Sequence, residues 1–114
     1  MNNNYLSEDE LLEMANVTDV TTGIKDVVLW LGPQKNSRNK MIKVCNIPNK
    51  ISRVDCFTIV LPKFEIVGFV NTQFIDEFKM DKIKEFIIVN QQLIEDYSDY
   101  KISTKYFLDG LKSV

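Results

Sequence analysis

The side chains that could do chemistry in this 114-residue sequence are carboxylates, lysines, arginines and two cysteines, because the chain contains no histidine. Without an imidazole, Ser-His-Asp catalysis, Cys-His catalysis and histidine-rich metal sites are excluded. Cys45 and Cys56 are too few for a zinc site, and they do not form a C-x-x-C motif. We interpret them as reduced cysteines packed as small apolar side chains, with a redox pair or a cross-strand disulfide as the alternative.

Three carboxylates in the C-terminal third lie on one side of a predicted helix. Glu95, Asp96 and Asp99 have the spacing at which carboxylates can hold a cation or act as acid and base. No glycine-bearing calcium loop surrounds them, and negative charge at a helix C-terminus is slightly unfavourable. The default interpretation is that these acids are solvated. The alternative is an acidic contact surface for a basic partner, with Asp96, Asp99 and the aromatic Tyr100 as its residues.

Basic residues concentrate in the segment 32–54, which contains six lysines and arginines and no acid. Such cations can neutralise phosphates, and Trp30 opposite Lys43 could offer a stacking surface to a base. The alternative is a solvated hairpin tip in which Lys43 lies over Trp30 as a cation–π pair. A sequence pI near 5.1 argues against strong nucleic-acid binding. The candidate binding residues are Trp30, which precedes this segment, and Lys35, Arg38, Lys40 and Lys43 within it.

Four short apolar runs, separated by turn residues, predict the elements that position these side chains. The runs are Asp26–Leu31, Met41–Ile47, Cys56–Leu61 and Phe64–Val70. Their alternation predicts a four-stranded antiparallel meander with one aliphatic face. In the register that collects the aliphatic residues, Leu29 faces Val44, Ile42 faces Ile59, Ile59 faces Ile66, and Cys45 lies opposite Cys56.

The remaining periodic segments predict helices. A capping-box spacing at Ser7 predicts a short helix over Glu8–Asn16. Asp81 is the predicted cap of the main helix, Lys82–Tyr97, and Ser103 is the predicted cap of a last helix, Thr104–Leu111. The order predicts an α+β fold, in which the C-terminal helices pack on one face of the sheet. Residues 1–23 are interpreted as an N-terminal extension and residues 24–114 as a single domain.

The opposite face of the predicted sheet is too apolar to be left in contact with water. Its residues are Val28, Trp30, Cys45, Val60, Val67 and Phe69. We expect either the N-terminal helix or a partner to cover it, and a homodimer through the Trp30/Phe69 face satisfies the second alternative.

Two patterns resemble a known set of sequences. The C-terminal third reads N-x-x-L-I-x-D-Y-x-D-x-x-I-x-T from Asn90 to Thr104, and V-x-W-L from Val28 precedes a basic loop. Together they resemble small uncharacterised bacterial or prophage proteins of about this size, whose tail reads like D-Y-W-D-G-x-I-x-T. This chain departs from that tail at Ser98 and Tyr100, where the pattern has Trp and Gly. The resemblance implies a fold family and carries no activity or catalytic residues.

From these features we expect a non-enzymatic protein that binds another protein. Its size and composition suit a phage or mobile-element inhibitor of a host factor, for example an anti-defence protein. A nucleic-acid-binding module that uses the basic loop 35–43 is the alternative, and a small enzyme using Asp96 and Asp99 has least support. We expect no cofactor, no metal and no membrane partner. A cytoplasmic location is expected, since the N-terminus is polar and then acidic, unlike a signal peptide.

Overall fold

An antiparallel sheet of five strands, in the order β1-β2-β3-β4-β5, is the frame of the protein in the computed structural model. The structure describes residues 15–32, 38–46 and 56–114. The strands are β1 (Ala15–Val17), β2 (Val28–Leu31), β3 (Lys40–Cys45), β4 (Cys56–Leu61) and β5 (Glu65–Val67). Each strand pairs with its neighbour in sequence, so β2 to β5 form the predicted meander.

The register of the meander confirms the predicted pairing of its aliphatic residues. Leu29 pairs with Val44, Ile42 with Ile59, and Ile59 with Ile66. Side chains alternate between the faces of a strand, so these pairs place the aliphatic residues of β2, β3 and β4 on one face. Val44 and Ile59 are fully buried there, whereas Ile66 on the edge strand is 39% exposed.

The fifth strand was not predicted, and it corrects the expected four-stranded sheet. Ala15–Val17 pairs with β2, with Ala15 opposite Leu31 and Val17 opposite Leu29. The predicted helix Glu8–Asn16 is therefore wrong at Ala15 and Asn16, and its other residues lie outside the described ranges. The strand forms because Ala15 and Val17 alternate with Asn16 and extend the buried face. A short helix, α1 (Asp19–Thr22), follows it.

Three helices cover the aliphatic face, as predicted, but the main helix is divided. They are α2 (Glu77–Val89), α3 (Gln91–Ser98) and α4 (Thr104–Gly110). The start predicted at Asp81 is wrong because Asp76 caps α2 by accepting a 2.8 Å hydrogen bond from the Lys79 amide. Ser103 caps α4 as predicted. None of the helices in the described part of the chain combines the length and apolarity needed to span a bilayer.

The break between α2 and α3 falls at Asn90, whose side chain is 2% exposed. Its Nδ2 donates to the carbonyls of Phe86 and Lys112, each at 2.9 Å, and its Oδ1 accepts from the Lys112 amide at 2.8 Å. The Asn90 side chain thus connects the break between α2 and α3 to the C-terminal segment at Lys112. Asn90 itself remains buried. Buried polar groups need such partners to offset desolvation.

The main core lies between the sheet and these helices. Its residues from the sheet side include Val27, Leu29, Leu31, Ile42, Val44, Phe57, Ile59 and Leu61. Those from the helices are Ile83, Phe86, Ile87, Ile94, Tyr97 and Phe107. Val89, at the end of α2, is 52% exposed. Val89 immediately precedes the break at Asn90.

The second face of the sheet differs from one end to the other. Val28, Trp30 and both cysteines form a second buried cluster, and Trp30 is only 5% exposed. Val67 and Phe69, at the β5 end, are 50% and 65% exposed. The predicted apolar face is therefore buried around Trp30, whereas Val67 and Phe69 at the β5 end and Met41 in β3, which is 51% exposed, present apolar side chains to solvent.

Cys45 and Cys56 form a disulfide across β3 and β4, with their Cα atoms 4.3 Å apart. The predicted opposition of the two residues is confirmed, and their interpretation as reduced cysteines is wrong. Directly opposed residues in a non-hydrogen-bonded antiparallel pair lie about 4.5 Å apart. The register therefore brings the two side chains within bonding reach.

We expect Asn90→Ala to lower the free energy of unfolding by about 2 kcal/mol, because it removes the three hydrogen bonds of a buried amide side chain, two of them to the Lys112 backbone. Urea denaturation measures the change. Gln92→Ala is the matched control, since it removes an exposed hydrogen bond to Asp96 and should change stability by less than about 0.5 kcal/mol. Equal effects of the two substitutions would contradict a structural role for Asn90.

We expect reduction of the disulfide to lower the free energy of unfolding by about 3 kcal/mol, because the unfolded chain gains the freedom of an opened loop. The cysteines are 11 residues apart. Urea denaturation with and without dithiothreitol tests this, and a Cys45→Ala/Cys56→Ala variant should not respond to the reductant. An identical midpoint for the wild type under both conditions would show that its thiols are unbonded in solution.

Candidate functional site

Two of the predicted nucleic-acid contacts, Trp30 and Lys43, are engaged inside the protein. They pair directly across β2 and β3, as predicted. Trp30 is buried, so its ring is not presented to solvent as a stacking surface. The Lys43 ammonium donates a 3.1 Å hydrogen bond to Thr58 Oγ1. Within the described residues the only cation–π contact joins Lys82 to Phe78, so the expected Lys43–Trp30 cation–π pair does not form.

Lys40 is a structural cation in this fold. It is the first residue of β3 and is only 7% exposed. Its Nζ donates to Asp99 Oδ1 at 2.6 Å, and the Asp99 side chain is 32% exposed. The contact joins residues 59 positions apart and ties the start of β3 to the end of α3. In a partly buried ion pair of this kind, the attraction between the two charges offsets the free energy that each loses when it leaves water.

Arg38 is the predicted binding cation that remains exposed. It makes no ion pair with any residue in the described ranges. Lys35, the remaining candidate, lies outside those ranges. Arg38 and Lys40 line an open pocket with a volume of about 210 Å³. The other lining residues are Leu61, Pro62, Glu95 and Asp99. The fold therefore brings candidate residues from the basic segment and from the acidic helix end to one place.

The acidic helix end has a defined geometry around Tyr100. The Lys101 amide donates to the Asp96 carbonyl at 2.8 Å, and the Tyr100 amide donates to the Tyr97 carbonyl at 3.2 Å. These two bonds form a Schellman motif, which satisfies the last carbonyls of a helix. The motif needs a left-handed residue, and here that residue is Tyr100, with φ at 62°.

Glycine is the usual residue in this position because its missing Cβ removes the steric penalty of left-handed backbone. Tyr100 is 63% exposed, so burial of its ring does not account for the choice of residue. A strained residue that packing does not require is a reason to examine a surface for function.

A second candidate surface was recognised only in part from the sequence, which placed Val67 and Phe69 on the second face of the sheet and did not identify Phe74 and Phe78. Phe69, Phe74 and Phe78 are 65%, 47% and 69% exposed, and Val67 is 50% exposed. We call these four residues the aromatic surface. Phe69 and Phe74 contact the same small cavity beside Ile75, which makes them neighbours. The signal in the sequence was the number of large apolar residues between 64 and 78, which exceeds what one strand face and one helix turn can bury.

The structure gives no support for a metal centre in the described residues. No group of three or more acidic or cysteine side chains in those ranges is close enough to hold an ion. Asp96 accepts a 3.0 Å hydrogen bond from Gln92, while Asp99 is bound to Lys40. The two carboxylates proposed for acid–base chemistry therefore have separate partners.

We expect Tyr100→Gly to raise the free energy of unfolding by about 1 kcal/mol, because it relieves left-handed strain without removing a buried side chain. Tyr106→Gly is the matched control. Tyr106 is also 63% exposed but lies within α4, where glycine should cost about 1 kcal/mol. Opposite signs in urea denaturation are the expected result, and destabilisation by both would show that the Tyr100 ring contributes to folding.

Comparison with known proteins adds no function to this geometry. No protein-family model, curated protein or solved structure matches the chain. The resemblance to small bacterial and prophage proteins stays a prediction from the sequence patterns. The arguments about function therefore rest on the geometry of the surfaces.

Proposed function

We propose that this protein is a non-enzymatic binding protein that acts by occupying another protein's surface. The observation that supports the proposal is the aromatic surface, where three phenylalanines within ten residues are about half or more exposed. Isolated apolar residues are common on protein surfaces, but Phe69 and Phe74 are neighbours that line one cavity, and a larger exposed apolar patch is typical of an interface. Aromatic side chains also provide much of the binding energy in protein complexes.

The edge of the sheet beside this surface suits an extended partner segment. Within the described strands β5 pairs with β4 alone, so its outer edge has unpaired backbone groups. Ile66 and Val67 alternate between the two faces of this edge and are both exposed. A partner strand could form main-chain hydrogen bonds with β5 and place apolar side chains against both faces. We therefore infer a partner that presents an extended, alternating apolar segment.

Two features of β5 favour another protein over a second copy of this chain. The strand has three residues and is flanked by Phe64 and Gly68, which have φ values of 60° and 103°. Two such strands would make few mutual hydrogen bonds. In addition, Trp30 is buried, so a dimer through the Trp30/Phe69 face would gain its aromatic contact from Phe69 alone. A homodimer is one outcome of the test below.

Two narrower proposals remain. An inhibitor of a host factor, encoded by a phage or mobile element, would use the same surface, and its partner would lose activity on binding. A nucleic-acid-binding module has less support, because Lys40, Lys43 and Trp30 are engaged within the protein. Of the predicted cations in the described ranges, Arg38 is left to contact phosphate.

The test combines affinity capture from the native host with a Phe69→Ser/Phe78→Ser variant. We expect the wild type to retain one stoichiometric partner and the variant to bind it at least 30-fold more weakly, as loss of an aromatic anchor costs about 2 kcal/mol. Ile88→Ser is the matched control, since Ile88 is 60% exposed on α2 and is not part of the aromatic surface.

Hydrogen exchange on the purified complex identifies the binding mode. Protection of the amides of residues 65–69 supports strand addition to β5. Equal retention of the partner by the variant would contradict the proposal. Sedimentation of the protein alone distinguishes a second copy, since a concentration-dependent dimer that is abolished by Phe69→Ser/Phe78→Ser would replace the partner protein with a homodimer.

A further inference from the structure

The pocket lined by Arg38, Lys40, Leu61, Pro62, Glu95 and Asp99 has two walls of opposite charge. One wall comes from the start of β3 and supplies the two cations. The other comes from α3, where Glu95 and Asp99 are four residues apart and so lie on one side of the helix. Leu61 and Pro62, at the end of β4, supply the apolar part of the lining.

Of the two pairs of opposite charges that face each other across this pocket, one forms an ion pair and the other does not. Lys40 and Asp99 contact each other at 2.6 Å. Arg38 has no ion pair within the described residues, and its guanidinium is exposed. In the same ranges Glu95 accepts a side-chain hydrogen bond from Gln91 at 3.3 Å and forms no ion pair. Among the described residues, the pocket therefore has one cation on one wall and one anion on the other that form no ion pair.

We propose that this pocket binds a small zwitterion that bridges Arg38 and Glu95. Its carboxylate accepts hydrogen bonds from the Arg38 guanidinium, which can bind a carboxylate through two parallel bonds. Its ammonium group donates to the Glu95 carboxylate, and its methylene groups lie against Leu61 and Pro62. The ligand class is an amino acid with its two charges at opposite ends.

The balance of charge favours a zwitterion over a simple ion. The lining has two cations and two anions, so a lone anion meets Glu95 and Asp99, and a lone cation meets Arg38 and Lys40. A molecule with both charges satisfies both walls. The volume of about 210 Å³ is less than that of a pocket for a drug-sized molecule.

This inference does not depend on the proposed protein-binding function, because none of the pocket residues belongs to the aromatic surface. The two sites can therefore be tested separately. A protein that loses its partner through Phe69→Ser/Phe78→Ser should keep the pocket intact.

The experiment titrates the purified protein with amino acids of increasing charge separation and follows amide chemical shifts by NMR. The series is glycine, β-alanine, γ-aminobutyrate and 6-aminohexanoate, with butyrate and propylamine as singly charged controls. We expect one member of the series to bind at least tenfold more tightly than either control, with shifts at residues 38–40, 61 and 95–99. The chain length of the amino acid that binds most tightly indicates the distance between the Arg38 guanidinium and the Glu95 carboxylate.

Arg38→Gln and Glu95→Gln should each weaken that binding at least tenfold, since each removes one charge contact. Glu85→Gln is the matched control, because Glu85 is an exposed acid on α2 that does not line the pocket. A folded spectrum for each variant excludes unfolding as the cause. Binding of butyrate or propylamine equal to that of the best amino acid, binding that survives both substitutions, or no binding at all would overturn the proposal.

Discussion

The two-residue period of the strands is the constraint on which the rest of the structure depends. Because side chains alternate across a strand, one register decides simultaneously which residues of β2 to β5 face the helices. Leu29, Val44 and Ile59 fall on the helix side and are buried at 3%, 0% and 0% exposure. The same register places Trp30, Lys43 and Thr58 in one row on the other side.

A slip of one residue would exchange these faces, so the register also fixes the disulfide. Cys45 and Cys56 lie opposite each other only while Val44 faces Phe57. The covalent bond then joins the last residue of β3 to the first residue of β4. The apolar core and the disulfide thus favour the same pairing of β3 and β4. Such agreement between separate interactions is typical of natural sequences that fold to one structure.

The Lys40–Asp99 ion pair connects this sheet to the helices and shapes the surface around it. The pair joins a cation of the basic segment to an acid at the end of α3. Some of the charged residues that are segregated in the sequence therefore stabilise the fold. Of the charged residues that line the pocket, Arg38 and Glu95 form no ion pair within the described ranges. On another side of the molecule, the aromatic surface beside β5 has apolar side chains beyond what the core can accommodate. The two candidate binding surfaces therefore differ in chemistry and share no residue.

The sequence by itself determined the meander, its register, the C-terminal helices on one face and the capping of the last helix by Ser103. Local alternation and capping are encoded within a few residues, which is why they can be recognised without coordinates. It did not show β1, because three residues with two small or medium apolar side chains become a strand only when a neighbouring edge is available. It did not show the break at Asn90 either, since the bond that stabilises it comes from Lys112, 22 residues away.

The division of the charged residues into structural and free groups was decided by tertiary structure alone. Lys40 and Arg38 are two positions apart and carry the same charge, yet Lys40 is buried against Asp99 and Arg38 is exposed to solvent. The difference arises because burial and pairing depend on which distant element lies opposite each side chain. That information belongs to the packing of α3 against the sheet, and residue type and local spacing do not contain it.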